Sequence, residues 1–317
     1  MPTVLPVLTL TLNPALDISV ETPHVIAGPK LRCTSPARHP GGGGVNVSRV
    51  IRRLGGQTLA LLALGGATGE RLADLLRQEG VATSRLPAPG ETRENLTVND
   101  ATTGAQYRFM LPGPCWRKRD ADIALRTAAA MTAPGQFIVL SGSLPPGIAA
   151  DFPIRLQRRV ARSGARLVVD TSGAPLTAAI GQAAGLALLR LDAAEAEAEA
   201  GRPLANARES AAFAMSLVQR GVAFRVVIAR GAEGSVMAGP EGCTYVRAPA
   251  VSVVSRVGAG DSFVAAMVLA LARGRTPERA LSEGMAAASA AVMTPGTELC
   301  RAQDARRLVR DCPVTRL

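Results

Sequence analysis

Short runs of apolar residues alternate along this chain with longer stretches in which apolar positions recur every three or four residues. Val4–Leu12, Thr58–Leu64, Phe137–Leu140, Arg166–Asp170, Leu186–Leu191 and Arg225–Ala229 are of the first kind and read as strands. Their nearly unbroken apolar character suits strands covered on both faces. Val45–Leu54, Glu70–Gln78 (stopped at Gly80), Asp151–Arg162, Ala207–Arg220, Asp261–Ala272 and Pro277–Val292 read as helices. The alanine-rich stretch Ala193–Ala200 has strong helix propensity and reads as an exposed helix. This alternation predicts an α/β fold with a mostly parallel central sheet flanked by helices.

Two regions break the alternation. Asp17–His39 lacks helical periodicity, and Glu94–Leu111 places a turn near Asp100–Gly104 between two β-rich runs, a hairpin signal. Segments 17–39 and 94–111 are therefore expected to form a small β-lid on one edge of a single domain spanning 1–317. No repeat, linker or low-complexity tail divides the chain.

Composition narrows the class. With 47% hydrophobic and 19% charged residues over 317 positions, the chain can bury a large core and is not globally disordered. Aromatics at 3% argue against a stacking platform for single-stranded nucleic acid. The net charge is +11, and the 36 basic side chains include two lysines, Lys30 and Lys118, leaving 34 arginines. Such a charge serves an anionic ligand or reflects a coding bias toward arginine. The arginines are scattered, with no basic run longer than Arg117–Arg119, so no nucleic-acid partner is expected. Five cysteines without a Cys-x-x-Cys spacing suggest neither a disulfide framework nor a zinc site, and two histidines cannot supply a histidine-based metal site. The amino-terminal segment reads as a buried strand, and no charge-free apolar stretch is long enough for a membrane span. The expectation is a cytoplasmic protein with no membrane partner.

Three motifs could carry chemistry. Pro40–Asn46 (PGGGGVN) runs straight into an apolar helix. Its glycines let backbone approach a ligand, and the helix N-terminus offers free N–H groups; the same residues also read as a flexible loop. Asn46 could cap that helix or bind a hydroxyl. Val257–Phe263 (VGAGDSF) opens a second helix. There Gly258, Ala259 and Gly260 can aim N–H groups at one anion, with Asp261 beside them. A carboxylate at an anion site suits a general base that takes a hydroxyl proton during phosphoryl transfer; the plainer reading is an acid that stabilises the helix dipole. In Thr92–Leu96 (TRENL), Arg93 could clamp a substrate phosphate or be a solvated surface charge. No P-loop, protein-kinase or dinucleotide fingerprint occurs.

Taken together, these residues resemble the PfkB (ribokinase-like) carbohydrate kinases, and among them the 6-phosphofructokinase branch. The resemblance runs nearly end to end. It includes TLNPALD (Thr11–Asp17), GPKLRC (Gly28–Cys33), PGGGGVN, GGATGE (Gly65–Glu70), TRENL, QYRFMLPG (Gln106–Gly113), SGSLPPG (Ser141–Gly147), VVDTSG (Val168–Gly173), VGAGDS and PGTELC (Pro295–Cys300). It implies a ribokinase-like α/β fold with a β-lid, and an ATP-dependent sugar-phosphate kinase that pairs as a homodimer through the lid. It also implies Mg²⁺, with K⁺ as a further candidate cation.

By motif, Asp17 would hold sugar hydroxyls, Gly41, Gly42, Gly43 and Asn46 would line the sugar site, and Arg93 would grip the phosphate already on the substrate. Ser143 would lie nearby, and Lys30 would approach from the lid, in the same or the partner chain. Asp261 would be the base and the 258–260 amides the anion hole. Arg190, Asp192, Glu195, Ala229, Gly231, Arg256 and Ser289 would serve the nucleotide, with Glu195 near Mg²⁺. The glycine run lacks the lysine usual in 1-phosphofructokinases, which favours fructose 6-phosphate as substrate. Tagatose 6-phosphate and fructose 1-phosphate remain alternatives, as does a sugar-phosphate-binding pseudokinase.

Departures from the family pattern cluster on the nucleotide side. Arg190-Leu191-Asp192-Ala193-Ala194-Glu195 stands where Lys-Pro-Asn-x-x-Glu is usual, so an Asp adds negative charge near the triphosphate. Ala229-Arg230-Gly231 lacks a usual hydroxyl, and Arg256 replaces a common Thr. These changes either alter donor affinity or identity, or are tolerated in an ordinary kinase.

Overall fold

A computed structural model of the chain describes residues 4–296 and 298–317. The first third runs β1 (Val7–Thr11), β2 (Ala15–Thr22), β3 (Ala37–Gly41), α1 (Gly43–Arg53), β4 (Thr58–Leu64), α2 (Gly66–Gln78), β5 (Ala82–Pro87), β6 (Arg93–Asp100) and β7 (Gln106–Met110). The middle contains α3 (Lys118–Ala130), β8 (Phe137–Ser141), α4 (Phe152–Val160), β9 (Arg166–Asp170), α5 (Ala174–Gly181), β10 (Leu188–Asp192), α6 (Ala193–Ala200), α7 (Ala207–Gln219) and β11 (Val226–Ala229). The last part is β12 (Gly234–Gly239), β13 (Gly242–Arg247), α8 (Ala259–Ala272), α9 (Pro277–Val292), α10 (Ala302–Leu308) and β14 (Val314–Arg316).

A 10-stranded sheet runs in the order β14-β13-β12-β11-β10-β9-β8-β1-β4-β5. Every pairing from β5 to β11 is parallel. β12, β13 and β14 extend it antiparallel, a part of the sheet the sequence pattern leaves unassigned. Because strand side chains alternate, each central strand feeds two cores. On β8, Ile138 and Leu140 pack with residues of α3 to α7, while Phe137 and Val139 pack with α1, α8, α9 and α10. Both faces are buried, which is why these strands carry unbroken apolar runs.

Chain connections leave β1 first toward β4 and β5 and later toward β8 and beyond, so the strand order reverses between β1 and β8. Such a reversal opens a crevice at the carboxyl ends of the strands. Ser141, Asp170 and Asp192 are the last residues of β8, β9 and β10 and stand at that end.

A second, four-stranded sheet of order β3-β2-β6-β7 sits on the same end, with β2 and β6 parallel and the outer pairs antiparallel. The segments expected as a lid, 17–39 and 94–111, fall in this sheet, but the boundaries move. β2 begins at Ala15, β3 runs on to Gly41, and 23–36 carries no regular strand. Other expected bounds shift too. The first strand is Val7–Thr11 instead of Val4–Leu12, and the helix expected from Glu70 starts at Gly66. Two helices start inside the glycine motifs, at Gly43 and Ala259, because Gly42 (φ 113°) and Gly258 (φ 74°) adopt backbone that other residues avoid and so can enter the helix. No helix among the described residues is long and apolar enough to cross a membrane.

Candidate active site

Both glycine-led helices begin without a side-chain cap. The first intrahelical amide of α1 is that of Asn46, donating to Gly42 O at 2.9 Å, and the first of α8 is that of Ser262, donating to Gly258 O at 2.9 Å. The preceding amides therefore have no partner within their helix, which makes each end an anion seat. Asn46 does not cap α1. Its side-chain Nδ2 donates to Asp261 Oδ2 at 2.9 Å, tying the two helix starts together across 215 residues of sequence.

The glycine run is held close by its neighbours. A Cβ on Gly41 would strike the Asp17 carboxylate, and one on Gly43 would strike Ser141 Oγ and the Gly142 amide. On Gly44 it would meet Thr11 Oγ1 at 2.5 Å. Close approach of backbone to polar side chains, rather than flexibility, is what this stretch requires.

Asp17 stands opposite Asn95 in the β2–β6 register, and its Oδ1 accepts from Asn95 Nδ2 at 2.8 Å. Burial raises its proton affinity, opposed by the Asn95 hydrogen bond and the nearby Arg93 charge. Arg93 donates from Nη1 to Leu111 O at 3.0 Å and from Nη2 to Asn13 O at 3.1 Å. Its Nε is a buried donor with no protein acceptor, and the side-chain oxygen of Asn13 is a buried acceptor with no protein donor. Asn13 Nδ2 donates to Ser143 Oγ at 3.1 Å, so Asn13, Arg93 and Ser143 form one polar group beside Asp17. A buried unpaired donor such as Arg93 Nε is positioned to meet a ligand.

At the other side of the crevice, burial pushes the Asp261 carboxyl up to about 7, aided by the charges of Asp170 and Asp17 and opposed by the Asn46 hydrogen bond and Arg190. Arg190 reaches inward to Asp170, Nη1 to Oδ1 at 3.3 Å, and an added Cβ on Gly260 would stand 3.3 Å from its guanidinium. Asp170 Oδ2 accepts from Ser141 Oγ at 3.1 Å. Asp170, Ser141, Asn13 and Asn95 were not singled out from the sequence. An acid closing a central strand, as in Val168–Asp170, was the available signal for the first.

The residues expected to serve the nucleotide lie on several elements. Asp192 and Ala229 are register neighbours at the ends of β10 and β11, next to Gly231. Asp192 caps α6: its Oδ1 accepts from the Glu195 amide at 2.8 Å, and Glu195 Oε2 accepts from the Asp192 amide at 2.8 Å. Burial raises the Glu195 proton affinity. Arg230 turns away into contacts with Leu204 O, Ser210 Oγ and Glu233. Arg256 is exposed just ahead of the glycine–alanine–glycine turn, and Ser289 is buried on α9. Lys30 is exposed in the 23–36 segment, and no hydrogen bond from it is found among the described residues. No three His, Cys, Asp or Glu side chains among the described residues gather as a metal cage.

The sequence pattern of the pfkB family of carbohydrate kinases matches residues 10–304. The chain belongs to that family. It is 39% identical over 301 residues to the ATP-dependent 6-phosphofructokinase isozyme 2 of Mycobacterium tuberculosis, covering 95% of this chain and 88% of that protein. The Escherichia coli isozyme 2 is likewise 39% identical, over 95% of this chain and 96% of its own length. A 1-phosphofructokinase of Xanthomonas campestris is 32% identical, over 95% and 93%. Crystal structures of Escherichia coli phosphofructokinase-2 superpose with a TM-score of 0.92 for a potassium complex (38% identity, 96% and 98% of the two chains) and 0.89 for a fructose 6-phosphate complex (37%, 96% and 98%). An Arabidopsis ribokinase complexed with ribose and ATP, at 19% identity and a TM-score of 0.73 over 96% and 99% of the chains, shares the fold. The ribokinase-like α/β architecture expected from the sequence is thus present, and this family member is a sugar-phosphate kinase, a phosphotransferase with an alcohol acceptor.

Proposed function

We propose that this kinase transfers the γ-phosphoryl group of ATP to the free primary hydroxyl of fructose 6-phosphate, giving fructose 1,6-bisphosphate. The carrying observation is the Asn46–Asp261 hydrogen bond, which brings a carboxyl of raised proton affinity against two open helix N-termini. In this reading Asp17 and Asn95 hold ring hydroxyls, and Arg93 with Asn13 and Ser143 holds the phosphate already on the sugar. Asp261 takes the proton of the acceptor hydroxyl. The hydroxyl oxygen forms a bond to the γ-phosphorus as the bond to the β-phosphate bridging oxygen breaks and ADP leaves. Amides at the start of α8 stabilise the charge spread on the transferred group.

Fructose 6-phosphate is favoured by the higher identity to the 6-phosphofructokinases than to the 1-phosphofructokinase, and by the Escherichia coli relative's complex with that sugar. The donor set fits Mg²⁺ held mostly by phosphates and water: Glu195 spends one oxygen on the α6 cap and keeps one free. Bound there, Mg²⁺ supplies charge neutralisation on the phosphates. K⁺ is proposed as an accessory cation from the relative's potassium complex. The exposed apolar side chains Tyr107, Phe109 and Met110 on β7 support pairing of two chains through the second sheet, which would bring the partner subunit's Lys30 toward the crevice. A tetrameric form is described for the Escherichia coli relative, so the pair is proposed as the minimal unit.

A coupled ADP-release assay across fructose 6-phosphate, tagatose 6-phosphate, fructose 1-phosphate and ribose tests the reading. The highest kcat/KM is expected with fructose 6-phosphate. A preference for either of the other sugar phosphates would overturn the substrate assignment.

A further inference from the structure

Arg49 is 2% exposed and lies on α1 amid Val47, Val50 and Ile51, all fully buried. A guanidinium removed from water needs an acceptor for each of its edges. Nε and Nη2 donate to the two carboxylate oxygens of Glu79 at 2.8 and 2.7 Å, just past the end of α2. Nη1 donates to Pro40 O at 3.0 Å and to Asn46 Oδ1 at 3.3 Å. A guanidinium has donors only. It therefore selects the oxygen of the Asn46 side chain and leaves the amide nitrogen on the far side, toward Asp261. The flipped carboxamide would set N–H against N–H at Arg49 and oxygen against carboxylate at Asp261.

We propose that Arg49, clamped by Glu79, is a positioning residue that holds the Asn46 carboxamide in the one orientation that donates to Asp261. The inference rests on Asp261 being the base of the reaction. Donation to the carboxylate favours its ionised form, so a loosened Asn46 makes Asp261 harder to deprotonate. Besides Asn46, the groups facing Asp261 are Asp170 on β9, Arg190 on β10 and Asp17 on β2. Around the clamp itself stand Arg53 on α1, 3.8 Å from Glu79, and His39 on β3. Arg49→Lys keeps the charge that acts on His39, Arg53 and Asp17, whereas Glu79→Gln removes one that acts on His39 and Arg53.

The experiment compares the pH dependence of kcat/KM for fructose 6-phosphate in the wild type, Arg49→Lys and Glu79→Gln, with circular dichroism as the check on folding. Lysine keeps the charge but offers one compact donor group that cannot span both Glu79 and Asn46. The acid limb in Arg49→Lys is expected to move up by roughly half to one pH unit, lowering activity on its acid side about three- to ten-fold. The curves converge on the alkaline side. Titration of the substrate phosphate is common to all proteins and cancels. Glu79→Gln keeps one acceptor oxygen and is expected to shift the limb the same way by less; it decides the question if Arg49→Lys does not fold. An unmoved limb in a folded variant, or an equal loss at every pH, overturns the proposal. Asp261→Asn run alongside separates the two readings. Retained turnover there removes the base and the positioning role together, whereas an inactive Asp261→Asn with an unmoved Arg49→Lys limb removes the positioning role alone.

Discussion

Asp261 meets the crevice where burial and the charge of Asp170 both resist ionisation, and its carboxyl sits at about 7. With Asp261 as the proposed base, kcat/KM is expected to rise with pH through about 7. The same shift has a sign for stability. The folded-state value lies above the ordinary 3.8, so the protonated carboxyl favours the folded chain fully below 3.8, and that contribution is lost as pH rises through about 7. Asp261→Asn, which mimics the neutral form, is expected to abolish turnover yet raise the Tm by several degrees at about pH 8, with the gain shrinking toward about pH 5. Thermal unfolding of both proteins at the two pH values checks this; a lower Tm for the variant at the alkaline value would contradict it. Asp261 could be singled out from VGAGD because it stands beside a run of free amides, although the same position also suits an acid that stabilises the helix dipole. Arg49 was not, because one arginine among 34 looks like any other until its burial is known.

At the scale of elements, the α6 cap explains one departure from the family pattern. Asn and Asp cap helices about equally well, and here the Asp192 carboxylate does so with Glu195. What the exchange changes is charge beside the ends of β10 and β11. Asp192→Asn is therefore expected to leave the Tm nearly unchanged and to lower the KM for MgATP, while Asp192→Ala costs about 1 kcal/mol of stability through the lost cap. Thermal melts and ATP titrations of the two variants separate cap from charge; an unchanged KM in Asp192→Asn would mean the charge is without effect on the nucleotide. Element legibility follows burial. β8 to β11 were visible because they are apolar on both faces, whereas β5 is half exposed and β12 (GSVMAG) and β13 (GCTYVR) open on glycine and mix small and polar residues with few large apolar ones, so neither period stands out. The helix starts were misjudged for a related reason: glycine carries no apolar signal, and both begin at or just beyond one.

For the whole molecule, the site is assembled from contacts that sequence distance hides. Asn46 meets Asp261 across 215 residues and Asp17 meets Asn95 across 78. The motifs were legible one by one; that they share a crevice follows from strand order, which alternation of elements alone does not specify. If the proposed pairing through the second sheet holds, a site needs Asp261 from one chain and Lys30 from the other. Mixing Lys30→Ala and Asp261→Asn chains after joint refolding is expected to restore about a quarter of wild-type activity, since half of randomly formed pairs contain one intact site of two. No recovery above the separate variants would place Lys30 and Asp261 in the same chain's site or outside it. The Arg49–Glu79 clamp bears on heredity. Losing Glu79 strands the buried Arg49 guanidinium, a loss of up to roughly 3–5 kcal/mol, whereas losing Arg49 leaves a Glu79 carboxylate that water partly reaches, at a smaller loss. The two positions are therefore expected to change together more readily than one at a time, with Glu79 constrained although it lies outside the glycine motifs.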